Sequence, residues 1–61
     1  MNRVIYEVIL KTNAVSYITT VNVDASVEDE ATLVKQALDR ILEDDGIDLT
    51  GLTFVKTIVI G

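Results

Sequence analysis

Cysteine, histidine, tryptophan and proline are all absent from this chain. Without cysteine there is no disulfide, no thiol nucleophile and no thiolate metal site. Without histidine the commonest general base and the commonest zinc ligand are missing. Aromatic residues number three, Tyr6, Tyr17 and Phe54, and glycines three. Cations are scarce, five against ten acids, for a net charge of −5. That balance leaves no basic stripe for direct nucleic-acid binding. No apolar run approaches the roughly 18 residues a membrane span needs. Arg3 is followed by an apolar stretch, but Glu7 interrupts it and no small-residue cleavage site follows, so no signal peptide is expected. A cytoplasmic protein is the expectation.

What is present is hydrophobic: 49% of 61 residues, far too apolar for a disordered chain. The expectation is one small α+β domain over residues 1–61. A chain of this size buries only about 60% of the surface its unfolded form exposes. Disulfides and the usual metal staples are excluded, so self-association is the expected source of extra stability.

RVIYEVILK and VSYITTVNV, residues 3–11 and 15–23, read as two strands of a hairpin joined through Thr12-Asn13-Ala14. Asn13 is the residue suited to a left-handed turn. Val4, Tyr6, Val8 and Leu10 share one face of the first strand; Val15, Tyr17, Thr19, Val21 and Val23 share one face of the second. These faces coincide only if even positions oppose odd ones. Pairing Lys11 with Ser16 achieves this, putting Leu10 opposite Tyr17, Val8 opposite Thr19, Tyr6 opposite Val21 and Ile9 opposite Ile18; a slip of one residue breaks both faces.

Residues 27–45 read as a helix with Ser26 as N-cap, Asp29 at N3, and Glu28 and Glu30 supporting the dipole. Its expected stripe is Val27, Ala31, Val34, Leu38 and Ile41, widened by Leu33, Ala37 and Leu42. Gly46 ends it. After IDLTG, residues 52–60 (LTFVKTIVI) read as a third strand, with Leu52, Phe54, Ile58 and Ile60 expected on the helix side and Thr53, Val55, Thr57 and Val59 on the other. The predicted fold is ββαβ: a three-stranded, mainly antiparallel sheet, order 2-1-3, with one helix on one face. The uncovered face would then carry Ile5, Ile9, Ile18, Val55 and Val59, and these are the candidate interface of a homo-oligomer, most simply a dimer, that buries this face or extends the sheet through an edge strand.

Charge is unevenly spread. Residues 24–48 hold nine of the ten acids and only Lys35 and Arg40, a local charge of −7; the rest of the chain sums to +2. Glu43, Asp44 and Asp45 crowd the helix C-terminus, where carbonyl dipoles make acids unfavourable by a few tenths to about 1 kcal/mol. Departures from a local rule gather at functional sites, so Glu28, Asp39, Glu43, Asp44, Asp45 and Asp48 are the candidate partner-binding residues, facing a basic protein. A solvated surface that keeps a sticky chain soluble is the plainer reading.

Catalysis and cofactors are not expected. Placing Gly46 at the sixth position of a calcium loop puts Ile41 first and Leu52 twelfth, where oxygen ligands are required. Ser16 and Ser26 have no partner base, and Gly46 and Gly51 make no phosphate loop. The expectation is therefore a non-enzyme with no metal and no cofactor. Three functions fit: a self-associating protein–protein interaction module; a phage- or mobile-element-type inhibitor whose carboxylates mimic nucleic-acid phosphates toward a host defence protein; and a small-ligand-binding oligomer using Thr20, Thr53 and Thr57.

Overall fold

The computed structural model describes residues 2–61. The elements are β1 (Arg3–Lys11), β2 (Ser16–Asp24), α1 (Glu30–Asp45) and β3 (Phe54–Val59). The sheet order is β2-β1-β3, and β1 is antiparallel to both neighbours. β2 and β3 therefore run parallel, with β1 between them. This is the ββαβ arrangement expected from the sequence.

The hairpin register is the one that parity of the apolar residues requires. Lys11 pairs with Ser16, Leu10 with Tyr17, Ile9 with Ile18, Val8 with Thr19 and Tyr6 with Val21. The turn is built differently from expectation. Among the described residues no residue other than glycine has positive φ, so Asn13 is not left-handed. Instead the Thr12 hydroxyl oxygen accepts from the N–H groups of Ala14 (3.2 Å) and Val15 (3.1 Å), and the Thr12 N–H donates to the Val15 carbonyl at 2.9 Å. A threonine hydroxyl at the first turn position does the work of a left-handed asparagine.

The helix begins three residues later than the sequence suggests. Asp29, not Ser26, is its N-cap: the carboxylate accepts from the Thr32 N–H and hydroxyl. Ser26 is drawn away by Asp24, whose carboxylate accepts both its N–H and its hydroxyl. Residues 24–27 thus form a turn, closed by the Val27 N–H on the Asp24 carbonyl at 2.9 Å. At the other end Gly46 takes φ 69° and its N–H closes on the Leu42 carbonyl at 2.9 Å, a conformation that costs glycine nothing.

Leu33, Ala37 and Ile41, spaced by four, are the buried line of the helix. They meet Val8, Leu10, Val21 and Val23 from the sheet. The stripe centres on these three: Val34 and Leu38 flank it, while Leu42 is 48% exposed. Each large side chain fully buried here contributes about 1.5–3 kcal/mol, so a core this small leaves little margin.

The third strand is turned over relative to expectation. Tyr6 pairs with Val59, Val8 with Thr57 and Leu10 with Val55, while Glu7 pairs with Ile58, Ile9 with Lys56 and Lys11 with Phe54. Paired residues share a face. Val55, Thr57 and Val59 therefore lie on the helix side, and Phe54, Lys56 and Ile58 on the open side. The core position expected for Phe54 is filled from the connecting segment, where Ile47, Leu49 and Leu52 pack on the core. β3 ends in a bulge: Ile60 and Gly61 both donate to the Ile5 carbonyl (2.9 and 3.3 Å), and the Ile5 N–H returns to the Gly61 carbonyl at 3.0 Å.

Candidate interaction surface

The fold separates charge by face. The helix and its flanking turns carry the acids on one side of the sheet. On the open side stand Arg3, Lys11 and Lys56, with two carboxylates, Glu7 on the central strand and Asp24 at the end of β2 opposite Arg3. All six candidate partner-binding acids, Glu28, Asp39, Glu43, Asp44, Asp45 and Asp48, are exposed. Asp44 forms an ion pair with Arg40, one helical turn back, at 3.3 Å. Asp39 and Glu43 line a shallow groove of about 350 Å³ between helix and β2, with Thr20, Asn22, Gln36 and Arg40. Glu28 stands apart, before the helix, and Asp48 beyond its end, so the six form a band rather than a cluster. Among the described residues no three potential metal ligands converge. The two carboxyls held below the ordinary carboxylate range lie elsewhere: Asp24, through the Ser26 hydroxyl and then its N–H, and Asp29, through the Thr32 hydroxyl and then its N–H.

The open face is more apolar than the sequence suggested, and its membership differs. Ile5, Ile9 and Ile18 are there as expected. Val55 and Val59 are not, because the β3 register puts them on the helix side. Phe54, Ile58 and Ile60 take their place, the last opposite Ile5 through the terminal bulge. Ile18 is 63% exposed, Ile60 54% and Phe54 44%. The Lys11 ammonium lies over the Phe54 ring, 5.1 Å from its centroid. The threonine row does not form: Thr20 pairs with Glu7 on the open face, Thr57 pairs with Val8 on the helix face, and the Thr53 hydroxyl is turned to the Lys11 carbonyl at 3.3 Å.

The two free edges of the sheet differ in a way that emerges only in three dimensions. The Ala25 N–H donates to the Asn2 carbonyl, so even residues of β1 and odd residues of β2 bond to each other. In an antiparallel ladder the alternate residues then point their N–H and C=O outward. On β2 these are Ile18, Thr20 and Asn22. The Asn22 carbonyl accepts from an Arg3 Nη2 at 2.8 Å, while Arg3 Nε holds the Asn22 side-chain oxygen at 3.2 Å. The Thr20 carbonyl accepts from Arg40 Nη1 at 3.3 Å. Two arginines, from a neighbouring strand and from the helix, thus cap this edge. On β3, Ile5 and Ile60 bond toward each other, so Val55, Thr57 and Val59 point their backbone groups outward. Among the described residues no side chain reaches them.

No family model matches this chain, and neither a curated protein nor a solved structure is similar to it. Among the described residues no helix is long and apolar enough to cross a membrane.

Proposed function

We propose that this chain is a small, non-catalytic protein–protein interaction module that associates with itself through its sheet and offers its acidic helix side to a basic partner. One observation carries the reading: the sheet side lacking a helix bears Ile5, Ile9, Ile18, Phe54, Ile58 and Ile60, turned away from the acidic helix. Exposed apolar side chains gathered on one face, here interspersed with Glu7, Thr20 and Lys56, support an interaction site, and a chain with so small a core gains stability from covering them. Eight of the ten acids, all but Glu7 and Asp24, belong to the helix and its flanking turns, where they can steer a cationic surface at low salt.

Size exclusion coupled to light scattering, at two protein and two salt concentrations, tests the self-association. A mass of twice the chain or more at micromolar concentration is expected; a monomer throughout would overturn it. The acidic side is tested with a cationic peptide as probe. Binding should weaken steeply with salt and with Glu43→Gln, Asp44→Asn and Asp45→Asn combined. Affinity indifferent to both would remove the acids from the function.

A further inference from the structure

We infer that two copies of this chain join through the free edges of β3, antiparallel about a two-fold axis at Thr57, to make one six-stranded sheet. The inference rests on the self-association proposed above and specifies its geometry: the joint runs through the β3 edge and covers the Phe54–Ile60 rim of the open face, while Ile5, Ile9 and Ile18 stay on the surface of the joined sheet.

The argument begins with the backbone. Val55, Thr57 and Val59 present outward N–H and C=O groups along an uncapped strand, whereas two carbonyls of the β2 edge, those of Thr20 and Asn22, are already held by Arg40 and Arg3. An edge left bare is a template for another strand, and arginine caps are one means of blunting such an edge. If Thr57 faces Thr57 of a second copy, Val55 faces the second copy's Val59, and all three outward residues find hydrogen-bonding partners, about six bonds in an antiparallel ladder.

Side chains fit the same register. It sets Phe54 against the second copy's Ile60, and Lys56 against its Ile58. Three conspicuously exposed apolar residues on this side, Phe54 (44%), Val59 (61%) and Ile60 (54%), thereby each gain an apolar neighbour. A register centred on Lys56 would instead oppose two like charges, which is destabilising.

Electrostatics favour a second copy at this edge. Residues 49–61 contain one charged side chain, Lys56, so two chains of net side-chain charge −5 approach there without bringing acidic side chains together. In the paired sheet, Glu7, Ile58 and the second copy's Lys56 lie in one row. The carboxylate and the new ammonium are then about 9–10 Å apart at their Cα atoms, within reach of two long side chains. Stacking open face on open face would instead bury Arg3, Lys11 and Lys56 of both copies together with Glu7 and Asp24, taking ten charges out of water. This orientation also places both helices on one side of the joined sheet, lying over β2 and β1 more than over β3, with their acids away from the axis.

Two variants test the geometry. Thr57→Pro deletes an outward N–H that has no partner within one chain, a position where an edge strand tolerates proline. It should keep the circular dichroism of the native chain while the mass falls to that of a monomer. Ile18→Pro, the same change on the other edge, should leave the mass unaltered. Thr57→Cys introduces the sole thiol of the chain. Facing Cα atoms about 5.5 Å apart are within disulfide range, so oxidation should convert the protein to a covalent dimer of unchanged circular dichroism. A folded Thr57→Pro variant that retains the wild-type oligomeric mass, or a Thr57→Cys oligomer that forms no covalent dimer, would overturn edge pairing while leaving self-association intact. A monomeric wild type would overturn both, and if such a monomer bound an extended apolar peptide along β3, the edge would belong to another protein.

Discussion

The two edges of this sheet hang on the same central strand but are finished differently. β2 is long, carries Thr20 and Asn22 beside Ile18 at its outward positions, and is tied down by Arg3 and Arg40. β3 is short, carries Val55 and Val59 beside Thr57 at its outward positions, and among the described residues has no side chain capping it. A sheet of three strands always has two open edges, and both are liabilities unless blocked or paired. On the proposed edge pairing, capping of one and not the other separates a side kept free from a side that a second copy occupies. The acids follow the capped side, since Asp39 and Glu43 line the groove beside β2.

The largest effect on this contrast comes from removing what both edges share. Leu10 sits on the central strand and is 1% exposed. Leu10→Ala should cost about 2–5 kcal/mol, measured as a shifted denaturant midpoint, and should loosen both edges together. If only β3 loosened, the edges would not depend on a common core.

Acid should act next, and on the β2 and helix side. Hydrogen bonds from Ser26 and Thr32 hold Asp24 and Asp29 below their ordinary pKa. A carboxyl whose pKa is lowered on folding contributes stability above its unfolded pKa, about 4, and loses it as pH falls through the lowered value. Thermal stability should therefore be flat at neutral pH and decline below about pH 4. Asp29→Ala should flatten that decline and lower stability at neutral pH. A profile identical to wild type would deny the cap its role.

The smallest effect on stability, and the sharpest on the contrast, belongs to Arg3→Ala with Arg40→Ala. The exposed Arg40–Asp44 pair is worth no more than about 0.5 kcal/mol, so the fold should survive. The uncapped β2 edge should now pair as well, and light scattering should report species larger than the wild-type oligomer. An unchanged mass would mean that the arginines do not protect the edge.

The hairpin was legible because its two strands are amphipathic with definite parity. Even residues of one and odd residues of the other carry the core side chains, so a single register satisfies both. β3 was not legible in the same way. Phe54, Ile58 and Ile60 fall on one parity and Val55 and Val59 on the other, so alternation alone cannot orient it. Its face goes with the preceding segment, where Ile47, Leu49 and Leu52 pack on the core alongside Val55 and leave Phe54 to the open side. The helix start was ambiguous between two good caps, Ser26 and Asp29, and Asp24 resolved it by binding Ser26. Separation of the acids from the open face could be anticipated from their run in sequence. Capping of β2 could not, because Arg40 reaches Thr20 across 20 residues.

Amide hydrogen exchange, residue by residue and at several protein concentrations, tests the unequal edges most directly. The outward N–H groups of Val55, Thr57 and Val59 should be protected, and increasingly so as concentration rises, while those of Ile18, Thr20 and Asn22 exchange rapidly throughout. Rapid exchange of both sets at every concentration, or protection appearing along β2 instead, would contradict the account.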